Sequence, residues 1–106
     1  MPFIPDAVVA SPTILTVVTT PITALITDSY IRVDATIGDM IVNLPAAVSG
    51  SIGSSIEVKK IDITVNTVTV NANGTDTVDI QSGVIITQPQ DAYKLFISAT
   101  GKWEII

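Results

Sequence analysis

The sequence predicts an all-β fold, a compact antiparallel sandwich or barrel with an extended N-terminal arm. Three observations carry this. Of 106 residues, 17 are Ile, 13 Val and 14 Thr, against four Leu; side chains branched at Cβ lose χ1 freedom in a helix and sit well on a pleated, half-buried surface. No window shows the i, i+3, i+4 apolar spacing of an amphipathic helix. From Asp28 onward, short runs of alternating polarity are punctuated by turn residues at intervals of roughly 8 to 12, the spacing of a small β domain.

Length and composition exclude much else. A chain of this size forms one core, burying roughly 65% of the surface its unfolded form exposes. It has no Cys and no His, so disulfides, thiolate nucleophiles, Cys-containing zinc sites and Ser-His-Asp triads are ruled out, and no cofactor is expected. Four Lys and one Arg against eight Asp and two Glu, a net charge of −5, argue against a track for nucleic acid, whose affinity rests on neutralised phosphates. Ala7 to Thr27 is free of charge for 21 residues, but only 12 of them are apolar and two are Pro, so membrane insertion as a spanning helix is not expected. The start, Met1-Pro-Phe-Ile-Pro-Asp6, lacks the basic lead of an export signal.

Taken in order, residues 1 to 27 read as an anchoring and oligomerisation arm. They hold four of the six Pro, one charge and no Gly. The runs around Ile14, Leu15, Val17 and Val18 and around Ile22, Leu25 and Ile26, with Phe3 and Ile4 ahead of them, have the hydrophobicity and β-propensity of a strand that needs a partner. That partner is another chain or, with equal weight, the domain's own sheet. Residues 28 to 106 form the β head. Tyr30 to Asp34 alternates with Ile31 and Val33 inward. Met40 to Leu44 alternates likewise and stops at Pro45, which cannot donate to a ladder. A Gly/Ser loop leads to Ile56 to Lys60, and a turn near Asp62 to Asn66 joins this to Thr67 to Asn71 as a hairpin. The parity of apolar positions shifts between Val65 and Val68, requiring a turn or bulge. Asn73-Gly74 supplies a tight hairpin turn. Strands at Thr77 to Ile80, Val84 to Gln88, Ala92 to Ser98 and Lys102 to Ile106 follow, the last two joined by a Thr100-Gly101 turn.

The phrases Val33-Asp-Ala-Thr36, Ile41-Val-Asn-Leu-Pro-Ala-Ala47, Ile56-Glu-Val-Lys-Lys60, Asn66-Thr-Val-Thr-Val-Asn-Ala-Asn-Gly74, Thr77-Val-Asp79 and Ser98-Ala-Thr-Gly-Lys-Trp103 resemble a small β domain of tailed-bacteriophage virion proteins, found in head fibres, tail fibres and capsid decoration proteins. The resemblance spans residues 28 to 106 and contains no catalytic signature. It implies a non-enzymatic structural protein of the virion, usually a homotrimer, assembled in the host cytoplasm and attached to the major capsid protein or another virion protein. Because only 27 residues precede the domain, a small head fibre or decoration protein fits better than a complete tail fibre. The alternative is a tail-fibre tip domain that binds a host receptor or glycan.

A hydrophobic, strand-forming arm with a single charge also argues independently for a homo-oligomer, since closed symmetry hides edges that would otherwise recruit copies without limit. For glycan contact the candidates are Tyr30, Tyr93 and Trp103, which offer stacking faces. A core or subunit interface uses the same rings and weighs more. Asp76 and Asp79 follow Asn71, Asn73 and Gly74 but lack the acid density and closing Glu of an EF-hand loop, so a turn explains them better and no metal is expected. Asp28, Asp34 and Asp39 are read as turn formers rather than a general acid and base. Lys59-Lys60 is too short for a nucleic-acid patch and is expected to solvate a strand or to pair with an acid across it.

Overall fold

A computed structural model describes residues 14–49 and 52–106. Strands β1 (Ile14–Val17), β3 (Tyr30–Val33), β5 (Ser55–Lys60), β9 (Ala92–Ala99), β10 (Lys102–Ile105) and β7 (Thr77–Val78) form a first sheet in that order. A second sheet is ordered β2 (Ile22–Thr23), β4 (Met40–Asn43), β6 (Val68–Asn71) and β8 (Gly83–Ile86). A single 3-10 turn at Ala47–Ser49 is the helical element among the described residues.

The all-β fold and the compact two-sheet body match expectation, but the pairing is mixed rather than antiparallel. From β1 to β6 the chain alternates between the sheets, so β1, β3 and β5 stack in parallel on one side and β2, β4 and β6 in parallel on the other. These are three stacked coils. Antiparallel pairs enter afterwards, where β8 covers β6, β9 covers β5, and β10 folds back on β9 through the Thr100-Gly101 turn. The hairpin expected between Ile56 to Lys60 and Thr67 to Asn71 is therefore corrected: β5 and β6 lie in different sheets. The parity shift between Val65 and Val68 marks that crossing, not a bulge. Asn73-Gly74, with Gly74 at φ 54, likewise turns the chain from β6 to β7 in the opposite sheet instead of closing a hairpin. Residues 14–27, read as part of an arm, supply the outermost strand of each sheet, the own-sheet alternative, with Val17 and Ala24 in the core. Phe3 and Ile4 lie outside the described residues.

The inward faces follow period two. Ile31 and Val33, Ile56 and Val58, Leu95 and Ile97 meet Met40, Val42, Val68, Val70 and Ile86 from the other sheet, and Trp103 fills the space at β10. Burying each such aliphatic side chain contributes about 1.5–3 kcal/mol.

Continuing the same alternation, Lys60 also points inward and is fully buried. Its ammonium donates to Asp62 at 2.6 Å and to the Thr64 carbonyl at 2.7 Å. Asp62 also accepts from the amides of Ala35 and Thr64 and from the Thr64 hydroxyl. Burial alone would raise the Asp62 carboxyl, but the hydrogen bonds from Lys60, Thr64 and the two amides outweigh it and hold the group well below the usual carboxylate range. The pair ties the coil of β3 to the coil of β5.

Where β6 meets β8, Gly83 lies opposite Asn71. A Cβ at Gly83 would stand 2.7 Å from both the Asn71 Oδ1 and the Val70 carbonyl oxygen, so the two strands approach this closely because glycine is there.

Two outcomes follow for stability. Asp62→Asn leaves a buried ammonium without its counter-charge and lowers unfolding free energy by about 3–5 kcal/mol. Because the folded carboxyl titrates below its unfolded value of about 3.9, its contribution is complete above that pH and is lost as the pH falls below it. Urea melts between pH 6 and 2 will show this acid limb in the native chain, with a shallower one in Asp62→Asn. Gly83→Ala, read by the same melts, lowers stability by about 1–3 kcal/mol, the usual cost of overpacking.

Candidate functional site

The coil stack has two ends. β8 and β9 cover one of them. At the other, β1 and β2 form the outer edges of the two sheets, and among the described residues nothing pairs with their free sides. Strands placed this way present unpaired N–H and C=O groups, which natural proteins normally cover, shorten or charge. Here the flanking side chains are apolar. Ile14 is 63% exposed, Val18 59% and Leu25 64%, with Leu15 also open to solvent. The other described candidate anchor residues turn inward: Val17 is buried, while Ile22 and Ile26 pack against the core. The parallel register accounts for Val17, which shares a face with Ile31 and Val33, and for Ile14, which shares the opposite face with Tyr30 and Arg32; Leu15 has the parity of Val17 but stays open to solvent.

Polar side chains at the corners fix this first coil to the second. The Thr20 hydroxyl accepts from the Ile41 amide at 2.8 Å, and the Val17 carbonyl accepts from the Asp34 amide at 2.9 Å. Asp28, itself buried, accepts from the Leu25 amide at 2.8 Å and so holds the turn that displays Leu25. The open coil is thus rigidly held and apolar.

The three rings considered for glycan contact do not share a face. Tyr30 stands half-buried on the outer face of the first sheet. Tyr93 is opposite Val58 and packs on the core, and Trp103 is fully buried opposite Ile97. Trp103 therefore offers no stacking surface, because the parity of β10 turns it inward while Lys102 and Glu104 face out. Its Nε1 has no hydrogen-bond partner among the described residues. A shallow cleft of about 330 Å3 beside it is lined by Thr77, Asp79, Ile80, Lys102 and Glu104.

The carboxylates serve the backbone. Asp34 accepts from the Thr36 amide, Asp39 from Thr67, Asp76 from Ala47 and Asp79 from Ile105. Each therefore caps a turn or joins two strands. Among the described residues no group of three His, Cys, Asp or Glu side chains is placed to hold a metal ion, and no helix is long and apolar enough to cross a membrane.

Reading the sequence in single strands missed a repeat. Val33-Asp-Ala-Thr-Ile-Gly-Asp-Met-Ile-Val-Asn-Leu44 recurs 28 residues later as Ile61-Asp-Ile-Thr-Val-Asn-Thr-Val-Thr-Val-Asn-Ala72, and β4 pairs with β6 at that offset, Met40 to Val68. Self-similarity at such a period signals stacked coils.

No family model matches the chain, and no curated protein matches it.

The division between displayed and buried residues gives a stability contrast. Ile14→Lys and Leu25→Lys change unfolding free energy by no more than about 0.5 kcal/mol, whereas Trp103→Ala lowers it by about 3–5 kcal/mol. Thermal and urea unfolding of the three variants measure the difference.

Proposed function

We propose that this chain is a structural protein of a tailed-bacteriophage virion, a head fibre or capsid decoration protein that docks through its first coil and displays the rest of the β body. The observation that carries the reading is the open coil, with edge strands in both sheets flanked by Ile14, Val18 and Leu25. An extended segment of the major capsid protein, or of another virion protein, adds to the free side of β1. Main-chain hydrogen bonds then supply affinity, and the flanking apolar side chains supply fit. The resemblance of residues 28 to 106 to virion β domains supplies the context. The chain acts as a homo-oligomer, a trimer in the first instance, and works by binding rather than catalysis.

A host-glycan role has less support. Two of its three rings face inward, leaving Tyr30 alone on an outer surface.

Deleting residues 1–27 is a poor test, because it removes Val17 and Ala24 from the core. The cleaner variant is Ile14→Lys with Leu25→Lys, tested by co-sedimentation with purified phage heads. The native chain will co-sediment. The double variant, folded and with unchanged unfolding, will bind at least about 30-fold more weakly, as expected when central apolar anchors are lost. Equal binding by both chains, or no binding by the native chain, contradicts the proposal.

A further inference from the structure

Two consecutive corners of the coil stack are built alike. In Asp34-Ala-Thr-Ile37 and Asp62-Ile-Thr-Val65, the aspartate accepts from the amide of the threonine two residues on. The turns are joined, since Asn66 Nδ2 donates to the Ala35 carbonyl at 2.7 Å and the Thr64 hydroxyl to the same oxygen at 3.3 Å. The buried Lys60–Asp62 pair lies beneath them.

This rigid corner displays apolar side chains almost completely. Ile37 is 93% exposed, Ile63 84% and Val65 92%. Turn geometry does not require β-branched apolar residues at these tips, where Gly, Asn, Asp and Ser are the usual choices. Three of them on one crest make an exposed patch on the order of a few hundred Å2, the scale that marks an interaction site. Its rim is acidic, with Asp34, Asp39 and Asp91 around it.

The complementary surface is on the same chain. Every Lys and Arg apart from the buried Lys60 projects from the outer face of the first sheet, Arg32 on β3, Lys59 on β5, Lys94 on β9 and Lys102 on β10, where the strands also carry Glu57, opposite Lys94, and Glu104, leaving four cations to two acids. Arg32 and Lys59 are direct neighbours across parallel strands, an unfavourable like-charge pairing. Among the described residues neither has a carboxylate within salt-bridge distance. Tyr30 and Phe96 stand half-buried on the same face.

We propose that the crest of Ile37, Ile63 and Val65 docks on a second copy of this chain, against the outer face of its first sheet beside Arg32 and Lys59. The acidic rim then meets the cation pair, and the apolar tips meet Tyr30 and Phe96. The contact is heterologous, crest against sheet face, and gives a ring of copies when its rotation closes. The three tips alone fall short of the roughly 800 Å2 per partner that a stable complex buries, so the contact also takes in the acidic rim around them.

Light scattering of the isolated chain tests this without any phage particle, so its failure and that of head docking are read separately. The native chain will show a multiple of 11.1 kDa, decreasing as salt screens the rim. Ile37→Asp with Val65→Asp will give single chains, as will Arg32→Glu with Lys59→Glu. Mixed in equal amounts, these two variants will form a two-chain species, because each supplies the surface the other lacks. Ile37→Ser with Val65→Ser provides a milder check, with unchanged thermal unfolding showing that the fold persists. A native chain of 11.1 kDa, either charged variant keeping the native mass, or a mixture that stays single overturns the proposal.

Discussion

The structure depends on stacking strands in parallel register while the chain passes repeatedly between two sheets. A parallel ladder cannot be closed by a two-residue turn, so each coil needs a crossing. Each crossing exposes backbone amides that must find acceptors. In this chain short side chains meet that need at nearly every corner. Thr20 receives the Ile41 amide, Asp39 that of Thr67, and Asp62 those of Ala35 and Thr64. Because these acceptors reach from one coil to the next, they set the register as well as satisfying the turn. The inward valines and isoleucines then fall on the core side in every layer.

Lys60 and Asp62 are the most demanding case. An ammonium at a core position is costly unless every proton and lone pair is used, and here the pair engages Ala35, Thr64 and the backbone of the crossing. A hydrophobic pair of similar volume would be at least as stable in many settings. The polar pair also specifies where the coil turns, since Asp62 holds the Ala35 amide of the preceding coil and cannot slide by one residue without losing it. The same rigidity holds the exposed tips of Ile37 and Val65 at fixed positions.

Much of this was legible in the residues. The alternation of Ile31 with Val33, of Met40 with Val42 and of Ile56 with Val58 identified the strands and their buried faces, and Thr100-Gly101 identified the hairpin between β9 and β10. Strand direction was not legible from those runs, because period two reports which side is wet and not which neighbour the strand pairs with. Reading Asp62 to Asn66 as a hairpin turn followed from treating polarity alone. The information lay instead in the recurrence of Asp34-Ala-Thr36 as Asp62-Ile-Thr64, a comparison between segments. Trp103 shows a second limit: an aromatic ring in a closing strand suits a surface and a core equally, and the inward parity of β10 decided between them. The anchor residues divided for a similar reason, with Ile14 and Leu25 displayed while Val17 went to the core.

The central claim is the parallel coil stack, and nuclear Overhauser contacts between backbone protons test it most directly. The account predicts cross-strand contacts between Val42 and Val70 and between Ile31 and Val58, in the order of a parallel ladder, with none joining Ile56 to Lys60 with Thr67 to Asn71. Antiparallel contacts between those last two segments, with the first pairs silent, would contradict it.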